Sequence, residues 1–335
     1  MKRIILPLTI IALLLLLFVG CNEDNAGLFK QVSESEPKTK LGSIQILGTD
    51  STNLYALTSV KGLQAYNLDS RTWSNIPSTQ VLHATYDTAS DNLIYAQRAT
   101  GDNKNKVFIY NGTTSTPTNS LHVINMAPDH NLILVKESVG QYKVMSYDGT
   151  PPFKDELTLS DTFDSAPYLV AFANDEYIVS GKDGATYEHY YKDSSTKLSA
   201  SGTNRDQLAK YQIVAMGVKS PNLIVVTNDG SIWQGAPANL EYKTKINLRG
   251  SSNTLYPSFV YGEYFYIQDI DRIFRAYNLS DGKSVNNDIT IALNNEKAIK
   301  SFLVDTDTDT DTKTLYIGYI EIGLKVFDLD TKQFK

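Results

Sequence analysis

Residues 53–73 read NLYALTSVKGLQAYNLDSRTW, and the fold follows from how this stretch is read. It is a strand, a loop, a second strand ending on Tyr66, and a turn at Asn67 and Asp69. Versions of it return six more times, opening at Asn92, Asn131, Glu176, Asn222, Tyr264 and Thr314. The second strand again closes on an aromatic and a turn residue at Tyr110-Asn111, Tyr147-Asp148, Tyr277-Asn278 and Phe327-Asp328, and more loosely at Tyr191 before Asp193. The fifth copy departs, with Trp233-Gln234-Gly235 in that place.

A further β-rich segment precedes each copy, at 43–47, 81–86, 121–126, 168–172, 211–216, 257–261 and 300–304. A fourth usually follows, as at 72–76 and 241–246. Four strands separated by turn signals make one blade of a β-propeller. The 294 residues from 42 to 335 divide into seven units of 42, inside the range of about 40 to 45 for a four-stranded blade. Seven copies in phase do not fit a β-sandwich of about a hundred residues. The expected fold is all-β: a seven-bladed β-propeller of four-stranded blades over residues 42–335. The repeats resemble those of the broad seven-bladed propeller group, WD40-like in kind. Ala65 to Trp73 is similar to the repeat of quinoprotein-like propellers, with Arg71 where that family prefers glycine.

Composition agrees with a folded β protein. Apolar residues make up 41%, charged residues 20%, and there are 21 tyrosines, while alanine- and leucine-rich periodic stretches are missing beyond the first twenty positions. Formal charge is −6; without Lys2 and Arg3 the 29 remaining basic side chains face 37 acidic ones, or −8. That balance argues against nucleic acid as a partner. Cys21 is the only cysteine, so an intramolecular disulfide and a Cys-based zinc site are both ruled out.

The cysteine has an explanation in its surroundings. Lys2 and Arg3 form a positive n-region, and Ile4 to Val19 is an apolar run too short for a comfortable membrane span. The run ends Phe18-Val19-Gly20-Cys21, which resembles the lipobox of bacterial lipoproteins, with Phe18 where that family usually has leucine. The resemblance implies a signal peptide over 1–20 and lipidation of Cys21, with palmitate among the acyl chains. It implies a chain held to a bacterial membrane and lying outside the cytoplasm, at the outer membrane and periplasm or the cell surface. Several acyl chains, at about 0.8 kcal/mol per buried methylene, anchor far more firmly than one. Residues 21–41 then form a polar tether. Within it, 28–32 is short and strand-like and is expected to pair with the last blade, closing the ring.

Local catalytic motifs are missing: G-x-S-x-G, H-E-x-x-H and a glycine-rich phosphate loop do not occur. Two other features stand out. Asp305, Asp307 and Asp309 begin an alternating Asp-Thr run whose carboxylates suit Ca²⁺, although Thr310 and Tyr316 stand where a calcium loop needs glycine and glutamate. A surface loop in the seventh copy is the other reading. His83 and His122 each lie nine residues before the asparagine that opens the next strand, so they hold equivalent places in adjacent blades. With Tyr168, Gln212 and Tyr256 they form a candidate ring of ligand-binding residues at one channel mouth. Packing of these histidines between blades is the alternative. His130 and His189 fall outside that register and are expected to face solvent. Together these readings predict a monomeric, lipid-anchored binding or scaffold module with an envelope or surface protein partner and no catalytic residues. The alternative is a metal-dependent lactonase- or lyase-like enzyme working at the channel mouth.

Overall fold

The computed structural model describes residues 41–99, 104–127, 130–149, 152–159, 163–172, 176–192, 197–202, 204–219, 221–248, 255–294, 298–306, 313–320 and 323–335. The signal peptide, Cys21, the tether and its 28–32 segment therefore lie outside the described residues, as do Asp307 and Asp309. Among the described residues no helix is long and apolar enough to cross a membrane.

Residues 41–335 form seven antiparallel sheets, each with its strands in chain order. Blade 1 holds β1 (Ile44–Thr49), β2 (Asn53–Thr58), β3 (Gly62–Asn67) and β4 (Thr72–Asn75). Blade 2 holds β5 (Val81–Asp87), β6 (Asn92–Arg98), β7 (Asn105–Tyr110) and β8 (Ser115–Leu121). Blade 3 holds β9 (Val123–Met126), β10 (Leu132–Ser138), β11 (Gln141–Ser146) and β12 (Lys154–Leu159). Blade 4 has β13 (Tyr168–Phe172), β14 (Glu176–Asp183) and β15 (Thr186–Tyr191), followed by the short helix α1 (Arg205–Leu208). Blade 5 holds β16 (Ile213–Lys219), β17 (Asn222–Thr227), β18 (Ser231–Ala236) and β19 (Asn239–Lys245). Blade 6 holds β20 (Ser258–Tyr261), β21 (Tyr264–Gln268), β22 (Phe274–Asn278) and β23 (Ser284–Val285), then helix α2 (Asp288–Leu293). Blade 7 holds β24 (Ile299–Thr306), β25 (Lys313–Tyr319), β26 (Leu324–Asp328) and β27 (Gln333–Phe334). The first strand of each blade touches the first strand of the next, and β24 touches β1, so the first strands form a closed inner ring. The chain is a seven-bladed β-propeller.

The second strand of each unit is apolar on both sides because it is buried on both sides. Along β10, Leu132 and Leu134 join the cluster between blades 3 and 4, while Ile133 and Val135 join the one between blades 2 and 3. Ile224 and Val226 of β17 face blade 6, and Leu223 and Val225 face blade 4. Period-two alternation thus splits one hydrophobic run between two cores. Seven clusters result, one at each blade junction.

At six of the seven junctions among the described residues, a polar side chain also bonds to the neighbouring blade's backbone. Thr85 Oγ1 donates to Ala127 O (2.5 Å), Asn125 Nδ2 to Leu169 O (3.1 Å) and Gln234 Nε2 to Leu279 O (2.5 Å). Ser180 Oγ accepts from Ile213 N (3.2 Å) and Gln268 Oε1 from Ile299 N (3.0 Å). Ser301 Oγ closes the ring, accepting from Ile46 N (2.8 Å) and donating to Ile44 O (3.2 Å). The junction of blades 1 and 2 instead stacks Tyr55 on Tyr86, with ring centroids 4.9 Å apart. Blade 7 draws β24 to β27 from residues 299–334.

Blade 4 departs from the four-stranded pattern. Where its outer strand is due, Lys197 makes a single antiparallel bridge to Tyr190, and Ala200 then pairs in parallel with Leu240 of β19. Leu240 N donates to Ser199 O (2.8 Å) and Ser201 N to Leu240 O (2.8 Å), so this segment belongs as much to blade 5 as to blade 4.

Candidate functional site

Antiparallel order fixes which loops share a face. The start of each first strand lies with the hairpin joining the second and third strands, and the turns on either side of the second strand's start lie on the opposite face. On the first of these faces a polar cleft of about 310 Å³ opens between blades 4 and 5, lined by Asp164, Ser165, Ala166, Ser180, Lys182, Tyr187 and Gln212. Asp164 to Ala166 lead into β13, Ser180 and Lys182 lie near the end of β14, Tyr187 is the second residue of β15, and Gln212 precedes β16. The approach segment is held by Asp164 N donating to Lys182 O (2.9 Å), and the hairpin by Tyr187 N donating to Ala209 O (2.6 Å).

Beneath the cleft sits His189, 3% exposed. Its Nε2 lies 3.1 Å from Leu208 O, a group that only accepts, so Nε2 carries the proton. Nδ1 then accepts from the Ser180 hydroxyl at 3.0 Å. Burial holds the imidazole neutral, with its pKa lowered to about 4. A serine beside an oriented histidine has the outline of an activated nucleophile. Its chemistry does not follow, since a base with a pKa of about 4 takes a proton poorly at neutral pH and Ser180 Oγ already accepts from Ile213 N. The pair braces the junction and fixes the cleft's inner wall.

Of the five residues placed at the channel mouth by sequence, Gln212 lines this cleft and Tyr168 is the cross-strand partner of Ser180. The other three are spread around the ring. His83 lies in β5 opposite Ala96, and burial lowers its pKa. His122 precedes β9 and its carbonyl accepts from Lys136 N (2.9 Å). Tyr256 donates its N–H to Val214 O (2.9 Å) and packs on the cluster between blades 5 and 6. Asp305, in β24, has Thr314 as its register partner and helps push Tyr316 up to about 12, after burial as the larger cause. Among the described residues no three His, Cys, Asp or Glu side chains gather to hold a metal ion.

His189 does not face solvent as expected, and His130 is half-buried. His189 points into the junction because Tyr187 and Tyr191, two residues to either side, set the alternation of β15 and leave it on the side of Leu208. His130 has its backbone N–H 3.3 Å from Thr85 Oγ1, and burial lowers its side-chain pKa to about 4. Sequence reasoning missed Ser180, which a comparison of copies reveals. Four residues after the opening position the copies read Leu57, Ala96, Val135, Ser180, Val226, Gln268 and Gly318. The two polar residues in that series are the ones that bond across to the next blade.

No protein-family model and no curated protein matches the chain. Solved structures do. The WD40 β-propeller domain of Doa1 superposes with a TM-score of 0.52 at 11% identity, covering 87% of this chain and 94% of that one. The computationally designed Ika8 protein gives 0.50 at 8% identity, over 88% and 98% of the two chains. At such identities the likeness is one of fold.

Proposed function

We propose that this chain is a lipid-anchored, extracytoplasmic β-propeller that binds an envelope protein without catalysis, through the face where its inner strands begin. The cleft between blades 4 and 5 carries this reading. It offers a cation, a carboxylate, hydroxyls and an amide on a wall stiffened by the Ser180–His189 pair, which is recognition chemistry on a rigid support. The lipobox-like sequence at Cys21 supplies the anchor. The lactonase- or lyase-like alternative needs metal-ligating side chains converging from several blades, and among the described residues no three such side chains gather.

Photocrosslinking in the native membrane tests the reading. A photoreactive residue at Ser165, on the cleft, is expected to capture a discrete envelope protein. The same residue at Ser70, on the opposite face, is expected not to. Equal capture from both positions, or none from Ser165, refutes it. Cys21→Ser is expected to abolish palmitate incorporation and to release the chain from the membrane fraction.

A further inference from the structure

A second cavity, of about 440 Å³, runs along the outer edge of blade 6, with Ile273, Phe274, Arg275, Val285, Ile291 and Asn294 in its lining. It exists because the outer strand is truncated: β23 covers only Ala276 and Tyr277 of β22. Hydrogen-bond direction alternates along a strand, which fixes what the uncovered part presents. Ile273 spends both backbone groups on Asp269, accepting from its N–H (3.0 Å) and donating to its carboxylate (2.9 Å). Asn278 donates in the other direction, to Lys283 O (3.0 Å). Phe274, one residue past Ile273 and four before Asn278, therefore turns its N–H and C=O outward to the groove.

Arg275 is prepared for an anion. Its Nε donates to Asp269 Oδ2 at 2.8 Å, with the aspartate side chain 0% exposed and the arginine side chain 36% exposed. The guanidinium is thus pinned by a buried carboxylate, and its two terminal nitrogens have no hydrogen-bond partner among the described residues. Ile273 (39% exposed) and Ile291 (63% exposed) leave apolar surface beside it.

We propose that this groove binds the C-terminal end of an extended peptide. The outward pair on Phe274 adds its backbone as a short strand, Arg275 takes its carboxylate in a fork, and Ile273 and Ile291 flank its last apolar side chain. A chain end is specified because β23 already occupies the edge from Ala276 onward, so a strand cannot run through. The site is separate from the cleft of blades 4 and 5 and stands or falls without it.

The test uses the full-length protein in detergent and a fluorescein-labelled pentapeptide of alternating valine and threonine ending in leucine. Fluorescence polarisation is expected to show saturable binding, weakened about tenfold or more when the C-terminus is amidated, as loss of a charge-assisted pair requires. Ile291→Glu, at an exposed helix position, is expected to weaken binding to the same degree with an unchanged melting temperature. Arg275→Lys, which keeps the Asp269 ion pair but loses the fork, is expected to erase the preference for the free acid. Equal affinity for acid and amide, an amidated peptide bearing an internal glutamate binding as tightly as the acid, undiminished binding by Ile291→Glu, or no binding by about 1 mM peptide would each overturn the proposal.

Discussion

Replacing Ser301 with alanine removes the side chain that joins the last blade to the first. Its oxygen, in a residue 8% exposed, holds Ile46 N–H at 2.8 Å and reaches Ile44 O at 3.2 Å. Alanine fits the space, so the cost is the desolvated donor and acceptor left behind. An orphaned buried donor costs about 1–3 kcal/mol and the carbonyl somewhat less, giving about 2 kcal/mol for the variant. Unfolding entropy of about 2.1 cal/mol/K per residue gives about 0.6 kcal/mol/K for the propeller, so the melting temperature is expected to fall by about 3 °C. Calorimetry reads that shift, with Ser120→Ala, at an exposed position of β8, as a control expected to move by about 1 °C or less. Hydrogen exchange reads the cause, since the Ile46 amide is expected to lose protection while the Ala56 amide across the same hairpin keeps it. A shift no larger than the control's, or an Ile46 amide as protected as before, refutes the assignment of Ser301 as the ring's closing contact.

Gly318→Ala attacks the same junction sterically: the added Cβ falls 2.3 Å from Ile44 O and 2.8 Å from Ser301 Oγ, so a loss of about 1–3 kcal/mol is expected, less than additive with Ser301→Ala in a double-mutant cycle. For His189, the folded pKa of about 4 lies below the value of about 6.5 for an unfolded chain. The unfolded state therefore binds the extra proton first as pH falls, and urea titrations are expected to show stability declining between about pH 6.5 and 4, by less in His189→Gln. Arg71→Gly relieves a left-handed backbone, φ 54°, at a cost in unfolded-state entropy; a net gain of about 0.5 kcal/mol is expected, read as a small rise in melting temperature.

The same position shows how far the sequence could be read. Arg71 looked like a departure from the glycine of related repeats, and its positive φ shows that the turn keeps the glycine-like geometry. Lys332, in the equivalent turn of blade 7, does so as well at φ 59°. Strand order and blade number were legible because the opening strand and the segment before it recur seven times. The site was less so, because it depends on the angle between neighbouring blades, which no single copy encodes. Equivalent register put His83 and His122 in adjacent blades but said nothing of distance. Gln212 reached the cleft only because the chain between 163 and 167 folds back over the end of β14. His189 was misjudged for a related reason: the Leu208 carbonyl that it meets comes from the α1 detour between blades 4 and 5, which the repeat does not contain.

Both cavities fall where a blade departs from its siblings, and packing explains why. A full outer strand with its own apolar face fills the edge of its blade. In blade 4 the outer segment swings to pair with Leu240 of blade 5, and the detour through α1 returns to the face where Gln212 leads into β16. In blade 6 the outer strand stops after two residues and α2 takes its place without covering Phe274. A strand spends its backbone groups on its neighbour; an insertion or a truncation leaves them, and the space beside them, for something else. Extending the strand in blade 6, by replacing 286–294 with the turn and strand of blade 1, is therefore expected to abolish acid-specific peptide binding, while the loss of Ile289 and Leu293 from the core between blades 6 and 7 lowers thermal stability. A chimera that folds and still prefers the free acid would break the link drawn between irregular repeats and binding.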